Sequence, residues 1–405
     1  MNATRSAIAR LPVLGWESWR GKRQAPIPCF LDLPGLIYTR SGRAAILQGL
    51  KFLGLQAGDR VLVPSYHTPT MVAPVVHLKG VPVFYPLDAG GAPILAWIKA
   101  QDLTGVRVLM VAHLFGLPQP MAEIRRWCDD QGVALLEDCA HAMFGRSDGR
   151  ALGSWGDVAI ASLSKFLPMH EGGCLLTSGR VASPALKSSG FGARLLWGAM
   201  ESAASQGRLH GLNALIAAAA FAWDVLGGRQ SSDSTCALGV HGGDGRPSLA
   251  VLGGVQEEQA QQALPAVGRW LAKRLPRARI VLRRRQNFSH LASLLAGFEA
   301  VRPLTRHLSP DCAPYVFPLW VAKPDPGYAS LRALGVPISR WNWPWPGVPE
   351  IDGDCGRDWS GHLLQLACHQ DLSDADVERM AKTLLGVFNA RPSDQSTFDL
   401  GRQGA

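Results

Sequence analysis

Between about residues 36 and 180, the chain alternates short apolar runs rich in β-branched residues with longer segments of mixed polarity. This alternation is typical of βα units that build a mostly parallel sheet. The apolar runs are continuous, as expected of strands covered by helices on both faces. The pattern predicts strands at 60–63, 83–85, 107–112, 134–137, 158–162 and 174–177, and helices at 43–53, 70–79 and 121–131.

The pattern changes after residue 190. Residues 212–228 form a strongly apolar helical stretch, and a segment rich in Ser and Gly follows. The stretch is too short to cross a bilayer, and Asp224 interrupts it. Two interpretations stay open: a helix that is buried or lies at a subunit interface, or a surface patch that contacts lipid or a lipid-linked substrate. No run of about 18 uncharged apolar residues occurs in the sequence, so no membrane-spanning helix is expected.

The last part of the chain predicts a second, smaller α+β domain. Residues 256–297 have a long helical pattern, 314–322 and 335–340 predict strands, and 374–388 predict a closing helix. We therefore expect a large domain over 1–255, in which 190–254 is divergent, and a small C-terminal domain over 256–390. The polar tail, 391–405, is expected to be disordered.

Composition narrows the class of protein. The 405 residues are 47% hydrophobic and 18% charged, which excludes disordered, collagen-like and coiled-coil chains. The net charge of +9 is weak for this length. The densest basic segment, 269–285, is either a solvated helical face or a phosphate-binding face. Neither a nucleic-acid motif nor a series of stacking aromatic residues accompanies it, so no nucleic-acid partner is expected.

The eight cysteines are scattered without a CxxC pair, and several lie inside apolar runs. This usage predicts reduced, buried thiols in a cytoplasmic protein. The first residues have too short an apolar run for a secretory signal. His369 follows Cys368, but no further ligands stand at a usable spacing, so we predict no metal site.

The candidate chemistry lies at two predicted strand ends. Asp138 follows a buried run, and Lys165, one of nine lysines, comes just after the strand 158–162. The carboxyl ends of parallel strands face the crevice where ligands bind. Pyridoxal phosphate needs a lysine amine for its aldehyde, a carboxylate for its ring nitrogen, and hydroxyl and N–H donors for its phosphate. Lys165, Asp138 and Ser162 supply these groups, and Ser41-Gly42-Arg43 opens a helix whose N–H groups face an anion.

Longer fragments point to a known family. They are YTRSGRAAI (38–46), the segment 58–88, HLFGLP (113–118), LLEDCAHAMFG (135–145), LGSWGDVAIASLSK (152–165) and EGGCLLTS (171–178). On these fragments the chain resembles the DegT/StrS-type family of pyridoxal-phosphate-dependent aminotransferases, in a less characterised branch. The resemblance is dense over 35–180 and thinner through 283–291 and 367–373.

The resemblance implies the type I fold of these enzymes: a large α/β/α domain with a mostly parallel sheet and a smaller C-terminal α+β domain. It implies a homodimer whose subunits share their active sites. The site residues that it implies are Lys165 for the internal Schiff base, Asp138 for the ring nitrogen, His141 near the ring, Ser162 for the phosphate, and Gly42 with Arg43 as the phosphate turn.

The chain departs from the family in three places. Thr68 stands where the family has an aromatic residue over the cofactor, so Tyr66 or His67 should stack there, and His67 is the residue that we expect. Ser162 and Lys165 are closer in sequence than in the commonest pattern. The segment 190–254 lacks the Asn-containing loop that reaches the partner subunit's cofactor, which leaves specificity for nucleotide sugars open.

The resemblance covers two groups of enzymes in the family, and lysine at position 165 decides between them, because relatives with histidine there are sugar dehydratases. The implied activity is transfer of an amino group from an amino acid, such as glutamate, to a keto sugar or other small ketone. Tyr66, His113 and Arg340 are the candidates for the substrate pocket, although a core role for His113 and packing of Arg340 against Trp341 stay open. The alternatives are dehydration or racemisation on the same cofactor, or a non-catalytic regulator with the same fold.

Overall fold

A computed structural model describes residues 8–178, 186–188, 190–225, 254–298 and 300–389. Its larger sheet has seven strands in the order β1-β9-β8-β5-β4-β2-β3. Strands β2, β3, β4, β5 and β8 are parallel to their neighbours in this group, whereas β9 is antiparallel to both β8 and β1. The strands are β1 (Ile37–Thr39), β2 (Arg60–Pro64), β3 (Val81–Tyr85), β4 (Val106–Ala112), β5 (Ala134–Asp138), β8 (Val158–Ser162) and β9 (Gly173–Thr177).

The sheet confirms the predicted α/β class and the mostly parallel arrangement. Each strand predicted in this region is present, and its bounds differ from the prediction by two residues at most. The sequence did not reveal β1, since three residues are too few to show a pattern. A small hairpin, β6 (Arg146–Ser147) and β7 (Arg150–Ala151), stands apart from the large sheet.

The helices that accompany the large sheet are α1 (Gly42–Phe52), α2 (Pro69–His77), α3 (Leu95–Lys99), α4 (Met121–Gln131), α5 (Gly192–Ser205) and α6 (Asn213–Val225). Short 3-10 turns lie at Trp16–Trp19, Phe30–Asp32, Leu114–Gly116 and Leu163–Lys165. Helix α1 packs on β8 and β9, and its residues 44–50 are buried. Its first turn is thereby held beside the end of β8, which is where the candidate site lies.

The second sheet is antiparallel, with four strands in the order β10-β11-β13-β12. They are β10 (Val301–Pro303), β11 (Val316–Val321), β12 (Ile338–Ser339) and β13 (Leu363–Ala367). Helices α9 (Arg277–Leu294), α10 (Gly327–Ala333) and α12 (Asp374–Asn389) pack with it around one apolar core. The α+β character of this part agrees with the prediction, while the boundary at residue 256 stays a prediction.

The long helical pattern of 256–297 is divided into three helices. They are α7 (Glu257–Ala260), α8 (Ala266–Arg274) and α9. Pro265 and Pro276 stand immediately before α8 and α9. Proline lacks an N–H donor and clashes with the preceding turn, so a helix ends before it and the next begins after it. The remaining described helix is α11 (Cys355–His362).

The basic segment 269–285 is a solvated face only in part, since Lys273 and Arg274 are exposed whereas the arginines of α9 bind other parts of the chain. Arg279 pairs with Asp371 at 2.7 Å, and Arg283 pairs with Asp374 at 3.0 Å. Arg284 is completely buried. These guanidinium groups bind the protein's own carboxylates and carbonyl groups, which joins α9 to the chain that follows β13.

Helix α6 begins one residue after the predicted start and extends to Val225, the last described residue of this segment. Ile216 and Ala220 are buried, whereas Leu215 is 69% exposed, so the helix packs along one side. Within the described residues, no helix has the length and apolarity needed to cross a membrane. Most of the Ser/Gly-rich segment and the tail 391–405 lie outside the described residues. The described residues include seven cysteines, which are free thiols, and six of these are buried.

Candidate active site

A cavity of about 120 Å³ lies at the carboxyl ends of β4, β5 and β8. Parallel strands place their C-terminal residues at one edge of a sheet, which is why this edge collects the candidate side chains. Of the eleven residues predicted for the site, eight line the cavity, and they are Ser41, Gly42, Arg43, His113, Asp138, His141, Ser162 and Lys165. The other three, Tyr66, His67 and Arg340, do not line it.

Asp138 and Lys165 are brought together by neighbouring parallel strands. Asp138 is the last residue of β5, and Lys165 ends the turn that follows β8. The backbone N–H of Ala140 donates to Asp138 Oδ1 at 2.8 Å. Burial raises the pKa of the Asp138 carboxyl, while the positive charge of Lys165 and the Ala140 N–H oppose the rise. The carboxyl group is therefore a buried acid whose charge depends on a nearby cation.

The backbone of Lys165 is held by a residue that the sequence analysis missed. Arg284 donates to the carbonyl oxygen of Lys165 at 2.7 Å and to that of Tyr315 at 3.1 Å. It also binds the Pro314 carbonyl and Gln370 Oε1. Burial lowers the pKa of Arg284 to about 10, so the group is charged at neutral pH. In sequence Arg284 is one of three consecutive arginines, and that pattern does not distinguish it.

Aromatic rings cover one side of the cavity. His141 stacks on Tyr315, with ring centroids 4.4 Å apart, and lies 5.1 Å from Trp341. Its Nδ1 accepts the backbone N–H of Phe115 at 3.3 Å, which places the proton of the neutral ring on Nε2. Burial, reinforced by the charge of Lys165, lowers the pKa of His141 well below its usual range. The imidazole is therefore neutral at neutral pH.

The expectation that His67 stacks on the cofactor does not agree with its position. His67 Nδ1 donates to the Pro64 carbonyl at 2.9 Å, and Nε2 accepts the Trp345 N–H at 3.0 Å. Its ring stacks on Phe84, with centroids 4.9 Å apart. Both ring nitrogens therefore form hydrogen bonds with the backbone, one ring face packs on Phe84, and His67 does not line the cavity.

Tyr66 and Arg340 are also engaged elsewhere. Tyr66 is completely buried, stacks on Trp341 at 5.1 Å and accepts a hydrogen bond from Gln365 at 2.9 Å. Arg340 pairs with Asp325 at 2.6 Å and donates to the Gly361 carbonyl. Substrate contact through Arg340 would require that ion pair to break. The aromatic ring that lines the cavity comes instead from Trp341.

One end of the cavity is formed by the start of α1. Ser41 precedes the helix in extended conformation, and its Oγ accepts the N–H of Ala44 at 3.2 Å. The first N–H groups of a helix have no carbonyl partner within it, and they carry the positive end of the helix dipole. A side chain at Gly42 would place its Cβ only 3.3 Å from the Cβ of Ser162. Glycine therefore allows the helix start and the end of β8 to approach closely.

Two further groups at this end suit an anion. Arg43 Nε is buried without a hydrogen-bond partner in the described structure, although another nitrogen of the same group donates to the Gly254 carbonyl. The hydroxyl groups of Ser162 and Ser164 lie 3.4 Å apart at the cavity wall. A dianionic phosphate would satisfy the orphaned donor and accept from these hydroxyls.

His113 lines the cavity and also links β5 to the loop after β4 through hydrogen bonds of its ring. Its Nε2 donates to Glu137 Oε1 at 3.1 Å, and its Nδ1 accepts the Gln119 N–H at 2.9 Å. Glu137 also accepts N–H groups from residues 153, 155 and 156. Burial opposes ionisation of Glu137, but these donors together lower its pKa.

With Cys139, His113 and Glu137 form a group whose possible metal ligands lie within 4.8 Å of one another. The ring nitrogens of His113 and the carboxylate oxygens of Glu137, which would be the metal ligands, are already engaged in the hydrogen bonds described above.

The cavity has more lining residues that the sequence did not single out. Glu171 is held by Arg40 through two hydrogen bonds, of 2.9 and 3.2 Å. Other polar residues of the lining are Thr70, Ser164, His170 and Thr68, and Thr68 stands where the resemblance led us to expect an aromatic residue. They come from α2 and from the loops on either side of Lys165, where a residue's direction is set by the loop conformation.

Comparison with known proteins agrees with this architecture. A sequence model described as the DegT/DnrJ/EryC1/StrS aminotransferase family matches residues 30–222. GDP-perosamine synthase of Vibrio cholerae is 27% identical over 171 residues, which are 40% of this chain and 47% of that protein. Protein MosB of Rhizobium meliloti is 34% identical over 146 residues, or 35% of this chain and 29% of that protein. The matches thus span less than half the length of these relatives.

Solved structures resemble a larger part of the chain. The aminotransferase TlmJ from Streptoalloteichus hindustanus has a TM-score of 0.58 and 20% identity, covering 87% of this chain and 86% of its own. Helicobacter pylori PseC, an aminotransferase involved in the biosynthesis of pseudoaminic acid, has a TM-score of 0.61 and 14% identity, covering 89% and 88%. At these identities the likeness shows that the fold is shared.

Proposed function

Residues 30–222 belong to the DegT/DnrJ/EryC1/StrS aminotransferase family, and on this premise we propose that the protein is a pyridoxal-phosphate-dependent aminotransferase. The proposed reaction transfers an amino group from an amino acid donor, such as glutamate, to a keto sugar or another small ketone. The observation that carries the proposal is the meeting of Lys165 and Asp138 in one cavity that Ser41, Gly42 and Ser162 also line.

The residues fit the cofactor in their chemistry. Asp138 offers the ring nitrogen a buried carboxylate, and the start of α1 offers N–H groups to the phosphate. The orphaned Nε of Arg43 is a buried donor at the same end. Bound there, pyridoxal phosphate would supply an electron sink for a substrate carbon that loses its proton.

Lys165 is the proposed proton carrier. As a neutral amine its Nζ takes the proton from the substrate carbon, and as an ammonium group it returns one. The Arg284 hydrogen bond holds its backbone, and its Nζ lies 5.4 Å from the centre of the Tyr315 ring. An amine placed over an aromatic ring is kept from bulk water while its charged form is still stabilised.

The neighbouring groups would orient the cofactor. Burial raises the pKa of Asp138, and the charge of Lys165 opposes this rise, so a protonated ring nitrogen beside Asp138 would favour its ionised form. His141 stays neutral, so its Nε2–H is a donor at the cavity wall. Ser162 and the first turn of α1 would hold the phosphate at the opposite end.

The experiment follows the covalent state of the cofactor. Purified protein with added pyridoxal phosphate is reduced with borohydride, and the modified peptide is identified by mass spectrometry. We expect modification at Lys165 in the wild type and in the control variant Lys187→Ala, and none in Lys165→Ala. Glutamate added before reduction should convert the cofactor to its amine form and release 2-oxoglutarate. Absence of modification at Lys165 would reject the proposal.

Modification without conversion by any amino donor would favour the alternatives, which are dehydration, racemisation or a non-catalytic role.

We also propose a cytoplasmic homodimer with shared active sites. The free thiols and the 69% exposed Leu215 of α6 support this proposal. Native mass measurement of a dilute sample tests the dimer, and a vesicle-binding assay at low salt tests peripheral lipid contact through α6.

A further inference from the structure

A second, smaller cavity of about 20 Å³ adjoins the site. Lys165 lines this cavity as well as the larger one. Its other walls come from the N-terminal segment, through Arg10, and from the smaller sheet, through Ser339 and Gln365. The turn that carries Lys165 therefore separates a cavity suited to a phosphate from a cavity covered by the N-terminal segment.

The smaller cavity is electropositive. Arg10 and Lys165 are its cationic side chains, and none of its lining residues is Asp or Glu. The ionisable groups near Arg10 are Tyr315, Tyr328 and Arg332, and none of them is a carboxylate. In the part of the chain that the structure describes, no carboxylate forms an ion pair with Arg10. A guanidinium that has lost part of its hydration and has no counter-ion is stabilised by an incoming anion.

The position of Arg10 is built into the fold. His369 Nε2 donates to the Ala9 carbonyl at 3.0 Å, and Asp371 Oδ2 accepts the Val13 N–H at 3.1 Å. Ala9 and Val13 are both buried. The segment is thus anchored on each side of Arg10 to the loop that follows β13.

The anchoring acid is unavailable to Arg10 as a counter-ion. One oxygen of Asp371 binds the Val13 N–H, and the other pairs with Arg279 at 2.7 Å. Arg340, which was expected to bind a carboxylate, is paired with Asp325. Arg10 lines the same cavity as Lys165 and, unlike Arg340, has no acidic partner among the described residues.

We propose that Arg10 binds the carboxylate of the amino donor and so makes the enzyme selective for α-amino acids over simple amines. This inference rests on the proposed function and names the substrate class of the same site. A cavity of about 20 Å³ holds one or two water-sized groups, so a terminal group such as a carboxylate, and not a whole amino acid, is the part of a donor that would enter it. The amino group of a donor held in this way lies toward Lys165. Keto acceptors without a carboxylate do not use Arg10.

The test compares L-glutamate with 1-butylamine, a simple amine that has no carboxylate. Protein loaded with pyridoxal phosphate is mixed rapidly with each amine, and conversion of the cofactor to its amine form is followed by absorbance. We expect Arg10→Gln to raise the half-saturating glutamate concentration at least tenfold, as loss of one charge-assisted hydrogen-bond pair predicts. Conversion by 1-butylamine should be unchanged, and Arg10→Lys should restore part of the selectivity.

Arg20→Gln is the matched control, because Arg20 lies on the same N-terminal segment with an exposed side chain paired to Glu17. It should behave like the wild type. An Arg10→Gln protein with unaltered glutamate saturation would overturn the inference, as would an equal loss with both amines. A defect confined to the reaction with the keto acceptor would also overturn it, since Arg10 would then serve an acidic group of the acceptor.

A binding measurement separates this inference from the proposed function. Glutarate, a dicarboxylate that cannot react, is titrated calorimetrically into the cofactor-loaded wild type, Arg10→Gln and Arg10→Lys. We expect affinity to fall at least tenfold in Arg10→Gln and less in Arg10→Lys. If no amino donor converts the wild type, the proposed function fails, and the glutarate titration still decides the role of Arg10. Equal affinity in the three proteins would reject the inference.

Discussion

The buried guanidinium of Arg284 donates a hydrogen bond of 2.7 Å to the carbonyl oxygen of Lys165. Arg284 is 0% exposed and binds carbonyl and amide oxygens rather than a carboxylate. Arg284 therefore holds the backbone of the turn that carries Lys165, while the lysine itself lines the cavity. The same guanidinium binds the Tyr315 carbonyl, so it also sets the ring on which His141 stacks.

We predict that Arg284→Met lowers the free energy of unfolding by about 3 kcal/mol, because it leaves several buried oxygens without donors. Urea denaturation measures the change. Arg285→Met is the control, since Arg285 is partly exposed and binds carbonyl groups near the surface. It should cost less than about 1 kcal/mol.

Arg284→Lys keeps the charge but not the planar fork of donors, and it tests the positioning role. We expect a folded protein in which borohydride labels Lys165 more slowly than in the wild type. Labelling at the wild-type rate would mean that Arg284 acts on stability alone.

Asp138→Asn should slow the conversion of the cofactor without lowering the stability of the fold. Burial raises the pKa of Asp138, so the charged form is costly in the fold, and a neutral amide should leave the melting temperature unchanged or slightly higher. Conversion of the cofactor by glutamate should fall on the order of a hundredfold, because the ring nitrogen loses its anionic partner. Calorimetry and rapid mixing measure the two effects. A variant that converts as fast as the wild type would remove Asp138 from the proposed site.

Gly42→Ala tests the close approach at the phosphate end. The new Cβ would stand 3.3 Å from the Cβ of Ser162, so the end of β8 must shift by a few tenths of an ångström. We expect the dissociation constant of pyridoxal phosphate to rise about tenfold, which fluorescence titration measures.

Gly386→Ala in α12 is the matched control for the glycine substitution. Nothing lies within 4 Å of a Cβ at that position. It should leave cofactor affinity unchanged and raise the free energy of unfolding by about 0.5–1 kcal/mol, since alanine favours a helix. Equal cofactor affinity in both variants would argue against a phosphate at the start of α1.

Acid should destabilise the protein through two buried histidines. Burial lowers the pKa of His67 and of His369 to about 4. The unfolded state binds a proton near pH 6.5 and the folded state does not, so the stabilisation is present above about pH 6.5 and is lost as the pH falls toward about 4. Each histidine should account for a loss of about 3 kcal/mol over this interval.

His67→Asn tests the size of this pH dependence. The amide can still donate to the Pro64 carbonyl, but it does not titrate. Urea denaturation between about pH 7 and about pH 4.5 should show a weaker loss of stability than in the wild type. His210→Gln, at an exposed position, should keep the wild-type slope. An unchanged slope in His67→Asn would contradict the prediction.

The sequence by itself determined most strands of the large sheet and the edge at which Asp138 and Lys165 lie. Continuous apolar runs predict buried strands, and parallel strands place their carboxyl ends at one edge. The structure shows that β5 and β8 are adjacent, which makes these two residues neighbours. The start of α1 was predictable for a similar reason, because Ser41 and Gly42 are local signals for the beginning of a helix.

The tertiary structure alone decided which side chains point into that edge. His67 is turned away because Trp345, 278 positions later, donates to its ring. Arg340 is paired with Asp325, while Arg284 and Arg10 reach the turn of Lys165 from parts of the chain that are far apart in sequence. Such contacts depend on packing between distant segments, and a periodic pattern carries information only about the face of its own helix or strand.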